Sequence, residues 1–257
     1  MNNYKVSVIV PCYNAEKWIE ECISSIFEQT YDNYEVIVID NESQDKSVSI
    51  LKSLQTSGLD FTLSSAPNIY PHCWDEARAV GFKLATGEYF LTMCADDYLD
   101  PDFLENCVGM LNLINEHWSP SVMAATPLAL QSPIKGVKSD EYYVPYFSPM
   151  QGHMYTTLEE FKNNCLHKCP VNTPTVLYHR SLYERGLLET KPEKYGGAAD
   201  YDLYCRLADN NIFIYPSPNW LGYNYRWHPE QATWGVIKSG ANYDAKIQQY
   251  WRERWGS

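Results

Sequence analysis

The sequence has no run approaching the roughly 18 consecutive apolar residues that a membrane-spanning helix requires, which excludes a helical transmembrane protein. It is poor in positive charge, with 20 Lys and Arg against 32 Asp and Glu and a net charge of −12. That balance offers no footprint for a phosphate backbone or an anionic lipid surface, so nucleic acid is not expected as a partner. No G-x-G-x-x-G follows an expected strand, and neither a P-loop nor H-E-x-x-H is present, which argues against dinucleotide dehydrogenases, P-loop enzymes and zinc proteases. Internal repeats, low-complexity tracts and linkers are also missing, so the 257 residues are expected to form a single domain with insertions. The first twenty residues lack the small-residue cleavage site of a secretory leader. A cytoplasmic location is therefore expected, free or peripheral to a membrane.

Eight cysteines are present, at 12, 22, 73, 94, 107, 165, 169 and 205. They are dispersed, and several lie inside apolar runs, so buried free thiols are expected rather than disulfides. Cys165-Leu-His167-Lys-Cys169 has no second cysteine pair at a zinc-site spacing and reads as structural.

Continuous apolar strands alternate with amphipathic helices. Val6 to Val10 and Val36 to Ile39 read as strands, Phe61 to Leu63 as a weaker one, and Tyr89 to Met93 as another. Trp18 to Phe27, Val48 to Leu54 and Ala77 to Leu84 carry helical stripes, with Gly87 placed to end the third. Strands that are apolar on both faces and joined by helices imply a mostly parallel sheet flanked by helices, an α/β fold. Asp100-Pro101 reads as a helix start. Residues 127–156 show no period and read as a long loop. The remainder is an irregular second half, with helices near Leu158 to Asn164 and Asp200 to Asp209 and a strand near Thr175 to Tyr178. The nucleotide-binding half is expected over 4–126, and an acceptor-side half with a C-terminal helix over 127–257.

The most informative stretch is the strand that ends in Cys94-Ala-Asp96-Asp97. Open α/β sheets bind ligands at the carboxyl edge, where this pair lies. Adjacent carboxylates repel, and a bound Mn²⁺ or Mg²⁺ with substrate phosphates completing a hard oxygen shell is a natural reason to keep them together. The competing reading is a solvated acidic turn, but Asp100 is already available to cap the next helix.

With these residues in view, the sequence resembles the family 2 glycosyltransferases. Val6-Ser-Val-Ile-Val-Pro-Cys-Tyr-Asn14, Val36-Ile-Val-Ile-Asp40-Asn-Glu-Ser-Gln-Asp45, Ala77-Arg78 through Gly87 to Asp97, and Asp200-Tyr-Asp202-Leu are similar to its segments in order and approximate spacing. The resemblance implies a GT-A, Rossmann-like nucleotide-diphospho-sugar transferase fold. It also implies metal-dependent, inverting transfer from a nucleotide-diphosphate sugar, a UDP-sugar favoured, to a hydroxyl of a glycan or other acceptor, as in polysaccharide biosynthesis. By the same resemblance Pro11 and Tyr13 line the base pocket, Asp40 reads the base, and Arg78 holds the diphosphate. Asp96 meets the ribose or the metal, Asp97 is the direct metal ligand, and His228, in Tyr225-Arg-Trp-His, binds metal or phosphate. Asp200 is then the general base, a role compatible with capping its helix. Four departures from the family pattern occur: the pair Asn41-Glu42 for Asp-Gly, Ala79 for Asn, Cys94 for Asp and Ala199 for Glu.

Other readings stay open. A carbohydrate- or nucleotide-binding module of this fold is one, kept by Cys94 and Ala199; a sugar-phosphate nucleotidyltransferase is another, disfavoured because Pro11-Cys-Tyr-Asn14 has neither glycine nor lysine. Tyr142, Tyr143, Tyr146, Phe147 and Tyr155 either stack on sugars or pack the middle loop. The stripe Tyr243, Ile247, Tyr250, Trp251 and Trp255 suggests core packing or a homodimer through the C-terminal helix.

Overall fold

A computed structural model describes residues 2–70, 73–117, 129–132, 134–139, 143–145, 155–217, 219, 221–238 and 240–256. The first strand, β1 (Val6–Cys12), is buried at every position, as a strand covered on both faces must be. Helix α1 (Ile19–Phe27) buries Ile19, Cys22, Ile23 and Ile26, a stripe at i, i+3, i+4 and i+7. The chain continues through β2 (Tyr34–Asp40), α2 (Ser47–Thr56), β3 (Thr62–Ser65), α3 (Asp75–Leu84) and β4 (Tyr89–Thr92). After β5 (Tyr98–Leu99) and α4 (Phe103–His117) come β6 (Ala129–Gln131), β7 (Ile134–Lys138) and β8 (Tyr143–Pro145). The last part contains α5 (Leu158–Cys165), a 3₁₀ turn at Thr173–Thr175, β9 (Val176–His179), α6 (Arg180–Glu184) and α7 (Pro192–Tyr195). A second 3₁₀ turn, Gly196–Ala198, leads into α8 (Ala199–Asp209), β10 (Tyr215–Pro216), β11 (Tyr223–Arg226), α9 (Ala232–Lys238) and α10 (Tyr243–Trp255).

The main sheet has the order β10-β6-β9-β4-β1-β2-β3. Strands β3, β2, β1 and β4 are mutually parallel, and β9 enters antiparallel between β4 and β6. Register aligns Cys12 with Asp40 and Asp40 with Ser65, so the ends of β1, β2 and β3 share one edge. A smaller sheet, β5-β11-β7-β8, lies beyond the end of β4 and carries the acidic turn between β4 and β5.

Glycine sets how closely the layers approach. A Cβ on Gly81 would lie 2.3 Å from Ile9 Cγ2, so α3 packs its backbone onto β1. Gly87 does not end α3, which stops at Leu84 with Ala85 already extended. Its place is fixed by Lys5 O and Ser7 N, each 2.7 Å from where a Cβ would be. The same corner holds Glu35, which accepts from Ser7 Oγ, Lys5 Nζ, Thr86 N and Gly87 N.

Two further expectations are corrected. Residues 127–156 are not one loop: their described parts form β6, β7 and β8, strands of three to five residues too short to show a period. Asp100-Pro101 does not open α4 directly, because a turn precedes Phe103 and the Asp100 carboxylate accepts from Asn224 Nδ2 at 2.9 Å. Of the C-terminal stripe, Ile247 and Trp251 are core, Trp251 Nε1 donates to Asp202 and Trp255 Nε1 to Asp209, and Tyr250 is exposed. Tyr155 is likewise core, its ring 4.6 Å from that of Phe161; Tyr142, Tyr146 and Phe147 lie outside the described residues. All eight cysteines are free. Among the described residues no helix is long and apolar enough to cross a membrane.

Candidate active site

The edge of β1, β2 and β3 forms a shallow polar shelf. Pro11 is buried and Tyr13 is exposed beside it. Asn14, with φ 49°, accepts from Gln44 N and donates its own N–H to Ser43 Oγ, tying the β1 turn to the β2 turn. Asp40 touches Ser43 N at 3.3 and 3.4 Å, long contacts that leave the carboxylate free to accept from a ligand. Next to it Asn41 is buried and donates to Ala66 O and Pro67 O. An aspartate there would have no proton for those carbonyls, which explains this departure from the family pattern. Glu42 keeps a left-handed φ of 64° where that pattern has glycine.

The acidic turn after β4 is clamped by β11 and the residues that follow it. Asp97 is 1% exposed. Its Oδ2 accepts from Tyr223 Oη at 2.5 Å and its Oδ1 from Arg226 N at 2.7 Å. Burial, then the neighbouring Asp96 charge, push its carboxyl well above the usual range, opposed by those two donors. Arg226 also donates from Nε to Asp96 O and reaches Glu21. Asp96 is turned outward, and its Oδ2 lies 2.9 Å from His228 Nε2. The His228 ring rests on Trp18, centroids 3.8 Å apart.

Both oxygens of Asp97, expected as the direct metal ligand, accept from protein donors, and each keeps a further lone pair. Ligand atoms of Cys94, Asp96 and Asp97 do lie within 4.8 Å of one another, with the His228 nitrogen on Asp96. An oxygen-rich set with one nitrogen and one sulfur fits a divalent cation; Cys94 and Asp96 are part-exposed, while His228 is buried behind Asp96.

A second pole forms where α3, the Thr173–Thr175 turn and the start of α8 meet. Arg78, which the resemblance places on the diphosphate, is 1% exposed. Its Nη2 lies 3.4 Å from Asp75 Oδ1, its Nη1 is buried without a hydrogen-bond partner, and its guanidinium lies 5.6 Å from the Phe82 ring centroid. Asp200 accepts from Thr173 Oγ1 at 2.5 Å and from Tyr201 N at 2.8 Å. Burial raises its carboxyl above the ordinary value and Asp75 adds to this, while Thr173, Arg78 and Tyr201 N oppose. Asp202, by contrast, is buried against Arg206 and Trp251.

Sequence reasoning did not single out Tyr223 or Thr173. The partners of Tyr223 lie 126 positions away, and neither residue type signals a site by itself. Thr173-Pro-Thr before a strand was the one local hint of a turn.

A family profile described as Glycosyl transferase family 2 matches residues 7–189. An uncharacterized glycosyltransferase of Haemophilus influenzae is 32% identical over 213 residues, covering 79% of this chain and 60% of the relative. The chain thus spans less than two thirds of that relative's length. Among solved structures, S. aureus TarS 1–349 in complex with UDP-GlcNAc superposes with a TM-score of 0.66 at 24% identity, covering 89% of this chain and 60% of that one. The mannosyltransferase PcManGT of Pyrobaculum calidifontis, in complex with GDP-Man and Mn²⁺, gives 0.60 at 19% identity, covering 93% and 62%. The fold is the GT-A fold of these proteins.

Proposed function

The chain belongs to glycosyl transferase family 2, and from that membership we propose that it transfers a sugar from a nucleotide-diphosphate donor, a UDP-sugar favoured, to a hydroxyl of a glycan or other acceptor with inversion. The observation that carries this reading is the pair of carboxylate poles beside β4, Asp96 with His228 on one side and Asp200 with Arg78 on the other. The solved relative titled with UDP-GlcNAc supports the choice of nucleotide, and the one titled with Mn²⁺ supports a divalent cation.

In this reading the Asp40 carboxylate accepts the imide N–H of the base while Pro11 and Tyr13 pack its ring. Asp96 and His228 hold the cation, with Cys94 beside them and Asp97 bracing the turn from beneath. A cation bound there neutralises the charge that grows on the departing diphosphate. Arg78 supplies its unpartnered Nη1–H to the donor.

Asp200 removes the acceptor proton as the hydroxyl oxygen bonds to the anomeric carbon. The bond from that carbon to the diphosphate oxygen breaks on the opposite face, and the electron pair leaves with the diphosphate. A hydroxyl is far less acidic than a carboxylic acid, so proton transfer accompanies attack, an arrangement worth about 10²–10⁴ in rate.

The test is a thermal-stabilisation screen of UDP-GlcNAc, UDP-Glc and GDP-Man with Mn²⁺ or EDTA, followed by nucleotide release with sugar acceptors. Stabilisation by a UDP-sugar with Mn²⁺, and turnover lost in Asp200→Asn, is the expected result. No stabilisation by any of the three overturns it.

A further inference from the structure

Thr173 Oγ1 donates to Asp200 Oδ2 at 2.5 Å. A hydroxyl has one proton to give, and the threonine gives it to the carboxylate. Deeper in the core Tyr178 and Tyr204, both fully buried, place their hydroxyl oxygens 3.1 Å apart.

A carboxylate on a helix start turns broadly about its last torsion. Tyr201 N, on the same chain turn, holds Oδ1, and the residue before Asp200 is Ala199, 1% exposed, with no polar atom to offer. Among the described residues Thr173 is the side chain that donates a hydrogen bond to Asp200.

We propose that Thr173 is a positioning residue for Asp200, its hydroxyl fixing the carboxylate rotamer and favouring the ionised form. The proposal rests on the reading of Asp200 as general base. The threonine is a holder rather than a proton relay, because its one proton already points toward the group that must accept one from substrate. The other charged and titratable groups around Asp200 are Asp75 and Arg78 of α3, Cys73 ahead of it, and Cys169 after α5. These stay in place when the threonine hydroxyl is removed, so a change on its removal reports the hydrogen bond.

Thr173→Val deletes the hydroxyl at nearly constant volume, and Thr173→Ser restores it. The carboxyl of Asp200 is followed against pH by carbon-13 NMR of aspartate-labelled protein, assigned with Asp200→Asn. The midpoint should move to higher pH in the valine variant and return to the wild-type position in the serine variant. In UDP release from UDP-GlcNAc, kcat of Thr173→Val should fall roughly 10–100-fold with KM for donor unchanged, since misplacement of a base costs rate and not donor binding. The acidic limb of its pH profile should move up with the NMR midpoint. An unmoved midpoint in Thr173→Val overturns the proposal. If that variant does not fold, Thr173→Ala, which also removes the hydroxyl, should move the midpoint in the same direction, and no movement there overturns it equally. Full turnover in Asp200→Asn would instead remove the base assignment, while the titration still decides what Thr173 does to the carboxylate.

Discussion

His228 Nε2 lies 2.9 Å from Asp96 Oδ2 although the two residues are 132 positions apart. Asp96 follows a strand of the main sheet, β4, and His228 follows a strand of the small sheet, β11. Their meeting depends on three further bonds across the same gap: Tyr223 to Asp97, Arg226 N to Asp97, and Arg226 Nε to Asp96 O. The acidic turn is therefore a joint between the two sheets, with one carboxylate used to build it and the other left facing outward.

That division of labour separates two kinds of substitution. Asp96→Asn and His228→Gln should each weaken the Mn²⁺-dependent part of UDP binding by at least the roughly 10–100-fold seen for outer-shell partners of metal sites, with folding stability little changed. Asp97→Asn should instead lower stability. Calorimetric titration of UDP with Mn²⁺ and with EDTA, beside a denaturant melt, checks both; equal UDP affinity of the wild type in EDTA would count against the metal site.

Tyr223→Phe removes a hydroxyl from a buried carboxylate without opening a large cavity. An unsatisfied buried acceptor costs about 1–3 kcal/mol, so a loss of that size in urea unfolding is expected. A change within experimental scatter would mean that water replaces the hydroxyl.

Two glycines should respond in opposite ways. In Gly87→Ala the new methyl meets backbone at Lys5 O and Ser7 N, 2.7 Å away, and backbone there is held in the β1 ladder. A loss at the upper end of the roughly 1–3 kcal/mol typical of overpacking, or beyond it, is expected. Gly109, within α4, has nothing within 4 Å of its Cβ direction, and Gly109→Ala should gain up to about 1 kcal/mol from helix propensity. Thermal melts of the pair decide it.

Glu35 gives the fold an acid limit. Against the burial that opposes ionisation, bonds from Ser7, Thr86 and Lys5 hold its carboxyl down from 4.5 to about 2. A depressed folded value means that its contribution is complete above 4.5 and disappears as pH falls through about 2. Glu35→Gln should lower stability at neutral pH and flatten the decline across that acidic window. A pH-stability curve parallel to that of the wild type would show that Glu35 is not its source.

What was legible in the sequence is what local pattern encodes. Val6 to Val10 and Val36 to Ile39 are apolar on both faces, and the stripe from Ile19 to Ile26 has helical spacing, so parallel strands with covering helices could be read directly. The ends of those strands then put Asp40 and Asp96 on one edge. The rest depends on pairings between distant segments. Strands of two to four residues, such as β10 and β11, have no period to read, and the donor to buried Asp97 is the distant Tyr223. Gly87 was visible as a glycine, but its reason is the backbone of Lys5 and Ser7, more than 80 positions earlier.

The joint at the acidic turn also orders events during synthesis. A nascent chain that has emerged through Thr92 holds all four parallel strands of the main sheet, yet its Asp96-Asp97 turn has no clamp until Tyr223 to His228 leave the ribosome. The turn is therefore set late, after helices α5 and α8 have been made. A chain interrupted before that point would carry a nearly complete sheet and a slack acidic turn.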